Sequence, residues 1–505
     1  MRKSKDKSSK SVLRLEDVRM LRREFLLSSS FATASLILGG ILPAGCAGPK
    51  EKIAPAVGKK ALYNCLLFDG IENGLQRDRV ILIEDDRIVA VESGWNEEKY
   101  SEYEPVDLDG LTLIPGLIDN HVHITVPFVR DPTFAAVTST SAQIERNLLS
   151  CVLSGVTTVR DVGAFPKKIQ DFREKVNAGE LPGPRILCAN SFISTPTGPP
   201  EGVPHLNPAV EFFMGGQFVE RITTPDEVRM VANEMCDLGA DWLKTGYQAV
   251  SYIFRSKPTV PSDEYLKALL EVGEKRGKKV CMHQPFLEDF LKGVEMGIHT
   301  LEHCPNDKLI PEKAIETFIE KDMAIFPTMM AFGDALEMKE ILAWLTENGR
   351  KYLEEEPLRQ VMDSVKIETS LPYPPDDYLE RGYYDHELMI PLFPNLVENV
   401  SRLRRMGATV GVGTDLGGTM TGLFGFYHKE LKHLSSAGFS NFEILKNATA
   451  TNAKIIDMAD DVGTIEAGKY ADFAAVNGNP LSDIDVMKDV KMVMKGGAYI
   501  LRHQA

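Results

Sequence analysis

Gly116-Leu117-Ile118-Asp119-Asn120-His121-Val122-His123 closes the apolar run Leu113–Ile118 with two histidines one residue apart. In a strand, residues i and i+2 face the same way. His121 and His123 therefore address one spot at the strand's C-terminal end, where paired imidazoles suit a divalent metal. His-x-His alone is a weak signal, because it is common by chance. The apolar strand before it and the partners downstream give it weight.

Working outward, the chain alternates strands with helices, as a parallel α/β fold requires. The candidate strands are Leu113–Ile124, Thr157–Val162, Arg185–Ile193, Trp242–Tyr247, Lys279–Gln284, Thr300–Cys304, Ala324–Thr328 and Ala408–Asp415. Eight is the number that closes a (β/α)8 barrel of the TIM type. The helices between them carry their own signals. Thr224-Pro225-Asp226-Glu227 and Ser440-Asn441-Phe442-Glu443 are capping boxes. Ser262 caps another helix and Gly277 ends it. The expected barrel spans 113–459, with an insertion at about 330–405 between the last two strands. That insertion carries Leu371-Pro372-Tyr373-Pro374-Pro375 and Tyr383-Tyr384, and reads equally as a lid or as a helical decoration.

Both flanks of the barrel are β-like. Val80–Ile83 and Arg87–Val91 bracket the charged turn Glu84-Asp85-Asp86, and similar runs return at Tyr470–Val476, Val490–Val493 and Tyr499–Leu501. Residues 61–112 and 460–505 are expected to form one composite β-sandwich.

Further candidate ligands end other strands: His283 after Val280-Cys281-Met282, His303 after Thr300-Leu301-Glu302, and Asp415 after Val412-Gly413-Thr414. Lys244 lies within Trp242-Leu243-Lys244-Thr245. In a (β/α)8 barrel these ends converge on one mouth, where active sites lie. With ten histidines in the chain a lone one means little. Four of them with an Asp and a Lys, all near strand ends, form a constellation.

In these phrases the chain resembles the amidohydrolase superfamily, and within it the imidazolonepropionase-like and metal-dependent prolidase-like branch. The matching phrases begin with Pro115–His123, Gly155–Gly163 and Gly239–Lys244. They continue with Leu301-Glu302-His303, Val412–Asp415, Ala448–Ala453 and Gly463–Asp472. The resemblance implies two divalent ions, with zinc expected. It places His121, His123 and Asp415 on the more buried ion, and His283 and His303 on the more exposed one. Lys244 would bridge them as a carbamate formed from its neutral amine and CO2. It also implies hydrolysis of an amide bond in a dipeptide or N-acyl amino acid by a metal-bridged hydroxide, with Asp415 as proton shuttle. Cyclic-amide hydrolysis of the imidazolonepropionase type, lactone or ester hydrolysis, and a non-catalytic metal- or ligand-binding lipoprotein are the alternatives. Tyr247, His205 and Arg160 are candidate substrate contacts. His283-Gln284-Pro285 and Cys304 depart from the usual phrases of the branch.

The net charge of −15 argues against nucleic acid as a partner and does not identify the substrate; the resemblance implies a small amide or peptide substrate, and a homo-oligomer is an open expectation. Seven cysteines include no CxxC pair, so a cysteine-built zinc site is not expected. Residues 1–46 read as a targeting segment. Arg22-Arg23 precedes a run without charge, which resembles a twin-arginine signal, and Leu42-Pro43-Ala44-Gly45-Cys46 resembles a lipobox. The expectation is an exported bacterial lipoprotein, anchored through Cys46 on the periplasmic or outer cell face, with residues 47–60 as a tether. An uncleaved anchor over Phe25–Leu42 is the other reading.

Overall fold

The computed structural model describes residues 57–126, 134–201, 206, 208–251, 257–333, 337–370, 386–418 and 423–501. The targeting segment, Cys46, His205, Leu371–Pro375 and Tyr383-Tyr384 lie outside the described residues. Among the described residues no helix is long and apolar enough to cross a membrane.

The N-terminal strands are β1 (Lys59–Tyr63), β2 (Leu66–Leu67), β3 (Arg79–Glu84), β4 (Arg87–Ser93), β5 (Glu104–Asp107) and β6 (Thr112–Pro115). The barrel strands begin with β7 (Leu117–Val122), β8 (Val156–Asp161), β9 (Arg185–Cys188), β10 (Phe192–Ser194) and β11 (Val219–Arg221). They continue with β12 (Trp242–Gly246), β13 (Lys279–His283), β14 (Thr300–Glu302), β15 (Ala324–Phe326) and β16 (Thr409–Val410). At the C-terminus come β17 (Phe473–Val476), β18 (Val490–Lys495) and β19 (Ala498–Leu501).

Two small sheets share one apolar core. One has the order β4-β3-β1-β5, and the other β19-β18-β17-β6-β2. Leu62, Ile81, Leu113, Phe473 and Met494 fill the space between them. The second sheet is composite, since β6 pairs antiparallel with β17, Pro115 opposite Phe473.

The expected single strand Leu113–Ile124 is in fact two. β6 belongs to the small sheet and β7 to the barrel, and the chain changes sheets at Gly116. Its N–H donates to Asp472 O at 2.8 Å. A Cβ there would stand 2.0 Å from Thr157 Oγ1, so only glycine fits. The expected strand Arg185–Ile193 is likewise split. β9 pairs with β8 and β10 with β12, the break falling at Asn190, whose φ is 60°. Asn tolerates that left-handed conformation better than most residues.

The barrel strands run parallel in the order β7-β8-β9/β10-β12-β13-β14-β15-β16, with β11 added on the far edge of β10. Backbone bonds beyond β16 return the ring to β7. Asn120 N–H donates to Val412 O at 3.1 Å, Asp415 N–H to His121 O at 2.8 Å, and His123 N–H to Leu416 O at 2.8 Å. The architecture is thus a TIM barrel carrying a small two-sheet domain. Outer helices start where their caps predict: Thr224 Oγ1 accepts from Glu227 N–H, and Ser262 Oγ from Tyr265 N–H. Between β15 and β16 the insertion supplies the helices Met338–Tyr352, Glu355–Ser370 and His386–Arg405. It is fastened to the helix Phe134–Leu153 by Gln143, which bonds Tyr352 O and Glu354 N–H.

Candidate metal centre

β7 ends with His121 and His123 turned inward, and the segment after β16 brings Asp415 opposite them. Asp415 Oδ1 lies 3.4 Å from His121 Nε2 and 3.2 Å from His123 Nε2. Among the described residues these three form the one cluster whose ligand atoms all lie within 4.8 Å of each other. Gly418 backs the cluster, because a Cβ there would stand 2.1 Å from Asp415 Oδ1.

The other ring nitrogens settle which atoms are free. His123 Nδ1 lies 2.9 Å from Gly163 O, which can only accept, so Nδ1 carries the proton. His121 Nδ1 lies 2.7 Å from Glu302 Oε2. Burial pushes the Glu302 carboxyl up, but Arg160 and Lys244 outweigh it and hold it well below the carboxylate range. Glu302 therefore accepts from His121. Both Nε2 atoms face Asp415; its burial raises the carboxyl, but the two histidines, as proton donors to it, outweigh that and hold it well below its usual range. Three electron-rich atoms converge on one point, an arrangement that needs a cation or a proton. The rise of the His123 pKa under Asp415, against the effect of burial, reflects the same demand.

A second pair stands beside the first. The His121 and His303 ring centroids are 5.1 Å apart, and His303 Nε2 lies 2.8 Å from His283 Nδ1. Gln248 donates its amide to Val250 O, which turns its Oε1 toward His283 Nε2 at 2.9 Å. His283 therefore carries its proton on Nε2 and presents the Nδ1 lone pair. His303 Nδ1 is held by Thr328 Oγ1 at 2.6 Å. Burial keeps both imidazoles neutral, His283 well below the ordinary range and His303 down to about 3. Neutral imidazole is the ligand form.

Lys244 is 1% exposed and its Nζ has no hydrogen-bond partner among the described residues. Burial lowers its pKa. An unpaired buried ammonium costs several kcal/mol. A neutral amine that gains an anionic oxygen group relieves that cost, so this orphaned nitrogen fits a bridging carbamate. The donor set as a whole fits divalent ions: two fixed imidazoles with one carboxylate, beside a neutral imidazole pair, with a modifiable amine.

The backbone at the site is unusual. His303, Thr328 and Asp415 have φ of 77°, 47° and 61°. Left-handed non-glycine residues each cost about 1–3 kcal/mol and gather at functional sites. At His303 the twist has a visible effect: Thr300 and Glu302 already face inward by strand alternation, and the turn brings the next side chain inward too.

One expected substrate contact is corrected. Arg160 does not reach the mouth. It is 0% exposed, with its guanidinium between the Trp242 and Phe326 rings at 4.5 and 4.7 Å. It belongs to the layered barrel interior beneath the histidines. Tyr247, just beyond β12, is buried in the main apolar core, and its N–H donates to His283 O at 2.9 Å. The charges acting on its phenol belong to Lys292, Glu288, Asp289 and Asp263, on the outer helices Asp263–Arg276 and Leu287–Met296. Sequence reasoning left Glu302, Thr328 and Gln248 without roles. Glu302 was adjacent to a motif residue; the other two gave no signal. Aromatic rings flank the imidazoles: Phe218 is 5.9 Å from His123, Phe192 6.5 Å from His283, and Phe332 5.7 Å from His303.

Inward histidines, an aspartate and a buried lysine thus gather near the C-terminal ends of parallel barrel strands, with His121, His123 and Asp415 as a candidate metal cluster. The family model described as "Amidohydrolase family" matches residues 112–500. The chain belongs to the amidohydrolase family, a class of hydrolases acting on carbon–nitrogen bonds. The imidazolonepropionase of Fusobacterium nucleatum is 27% identical over 184 residues, 30% of this chain and 44% of that enzyme. The chain thus matches less than half the length of this curated relative. A solved Xaa-Pro dipeptidase with methionine bound in its active site superposes with TM-score 0.66 at 23% identity, covering 87% of this chain and 99% of that one. A. niger ochratoxinase gives TM-score 0.65 at 20% identity, over 88% of this chain and 96% of that one. At such identities the likeness is one of fold.

Proposed function

We propose that the protein is a metal-dependent amidohydrolase that cleaves the amide C–N bond of a dipeptide or N-acyl amino acid. The observation that carries this reading is the convergence of the His121 and His123 Nε2 atoms on Asp415, beside a neutral histidine pair and an unpartnered buried lysine. His121, His123 and Asp415 would hold one divalent ion, and His283 and His303 a second, with Lys244 between them as a carbamate. Ions bound there supply Lewis acidity that activates water and polarises the scissile carbonyl.

The chain's own residues do the rest. Asp415 is held ionised, so it can accept a proton from the attacking water and return it to the leaving nitrogen. Glu302, Gly163 and Gln248 keep His121, His123 and His283 in one tautomer each, and Thr328 orients His303. Phe192, Phe218 and Phe332 make an apolar wall that excludes water and suits an apolar acyl portion. The partial match to an imidazolonepropionase favours a cyclic amide as the second reading. The lysine available for carbamate formation supports the dipeptide reading over it. The deciding measurement is hydrolysis of a dipeptide and N-acyl amino acid library by zinc-reconstituted protein, alongside metal content per chain. Turnover of cyclic amides alone would select the second reading, and no metal uptake at all would sink both. For location we propose export and lipid anchoring at Cys46, from the Arg22-Arg23 pair and the uncharged run after it. A Cys46→Ala variant is expected in the soluble fraction; retention in the membrane would favour an uncleaved helix.

A further inference from the structure

We propose that Glu302, clamped by Arg160, is a positioning residue that sets the tautomer of His121 and thereby permits it to ligate. The inference rests on the metal reading of the site, but it concerns a proton on one ring nitrogen and is tested without turnover.

The argument starts from donors. Arg160 has only donors, and the structure uses them on one small region. Its Nε donates to Asn120 O at 2.7 Å, its Nη1 to Thr300 Oγ1 at 3.1 Å, and its Nη2 to Glu302 Oε1 at 2.7 Å. The Thr300 hydroxyl donates to the same Oε1 at 2.7 Å. Oε1 is thus held by two donors, and the guanidinium is itself fixed between Trp242 and Phe326. Oε2 lies 2.7 Å from His121 Nδ1. A carboxylate oxygen cannot donate, so Nδ1 must carry a hydrogen, which leaves Nε2 as the ring nitrogen able to ligate. Through Asn120 O, Arg160 also steadies the backbone one residue before His121. His123 reaches the same tautomer through a backbone carbonyl, Gly163 O, and depends on no side chain for it. The two histidines of one motif are therefore set by different devices, and only His121 can be switched by a side-chain substitution.

Glu302→Gln is the discriminating change because it keeps shape and reverses polarity. Its amide oxygen must face Arg160 and Thr300, since its NH2 there would meet two donors. The NH2 then faces His121 Nδ1 and requires a lone pair on it. The ring hydrogen moves to Nε2, the atom aimed at Asp415. Outer partners of ligand histidines typically change metal affinity about 10–100-fold.

The test uses full-length protein with 15N-histidine labelling, and cobalt(II) alone as the metal probe followed by its visible spectrum. His121 is assigned by comparison with His121→Asn. In metal-free wild type, His121 is expected as the Nδ1–H form; an Nε2–H form overturns the inference without any variant. In Glu302→Gln, His121 is expected to become Nε2–H while His123 stays Nδ1–H, with cobalt(II) affinity reduced about 10–100-fold. A Glu302→Gln protein that loses thermal stability but keeps the wild-type tautomer and cobalt(II) affinity has lost only a structural contact, and the inference fails. If the variant does not fold, the wild-type spectrum still decides. Absence of hydrolysis in every form would count against the proposed function and leave this result standing.

Discussion

The two halves of the centre are built differently. His121 and His123 face a carboxylate, and each is oriented by a buried acceptor, Glu302 Oε2 or Gly163 O. His283 and His303 face each other and are oriented by neutral groups, Gln248 and Thr328. The first half carries negative charge of its own, while the second gains charge only from Asp415 or from a modified Lys244. One half should therefore bind an ion unaided and the other should depend on it. Three changes would break or sharpen that contrast.

The largest effect is expected at the carboxylate. Asp415→Asn keeps volume and an oxygen donor but cannot carry a proton, so hydrolysis should fall by roughly a hundredfold or more. Single-turnover and steady-state rates on a confirmed substrate would measure it. A rate near wild type would remove Asp415 from proton transfer. Next is the lysine. Lys244→Met should lower metal content by one ion per chain, the loss falling on the His283–His303 half. Metal analysis with an anomalous-scattering map would locate the remaining ion; two ions in the variant would show that no lysine-derived bridge is needed. The smallest effect is expected from Gln248→Leu. It frees the His283 tautomer and should weaken only the second ion, by about tenfold. Stepwise chelation would read this, and equal weakening of both ions would mean that the halves are not independent.

How much of this was legible depended on sequence distance. The strand ends carrying His121, His123, His283, His303 and Asp415 could be read because apolar runs stop beside ligand-type residues. The capping boxes at Thr224 and Ser440 could be read because both partners lie within one turn. The strand break at Gly116 could not, since its cause is Thr157, a residue on the neighbouring strand. Arg160 is a candidate substrate contact by its place near a strand end alone. Its burial depends on Thr300 and Glu302, 140 and 142 residues away. Thr328 and Gln248 gave no signal, because an isolated threonine or glutamine acquires a role only when the fold aims it at a ring nitrogen. The inward turn of His303 depends on a left-handed backbone that strand periodicity does not predict.

The pairing of β6 with β17 sets a schedule for synthesis. Leu113 and Ile114 emerge from the ribosome with only the two-residue β2 beside them, and their other edge waits for Phe473–Val476. At about 5–20 residues per second, the roughly 360 residues between take on the order of 20–70 s to translate. Throughout that interval an apolar strand edge is open to any other chain that can extend it. The barrel is the first part able to close, and the small domain, although it begins the described chain, is the last to be finished.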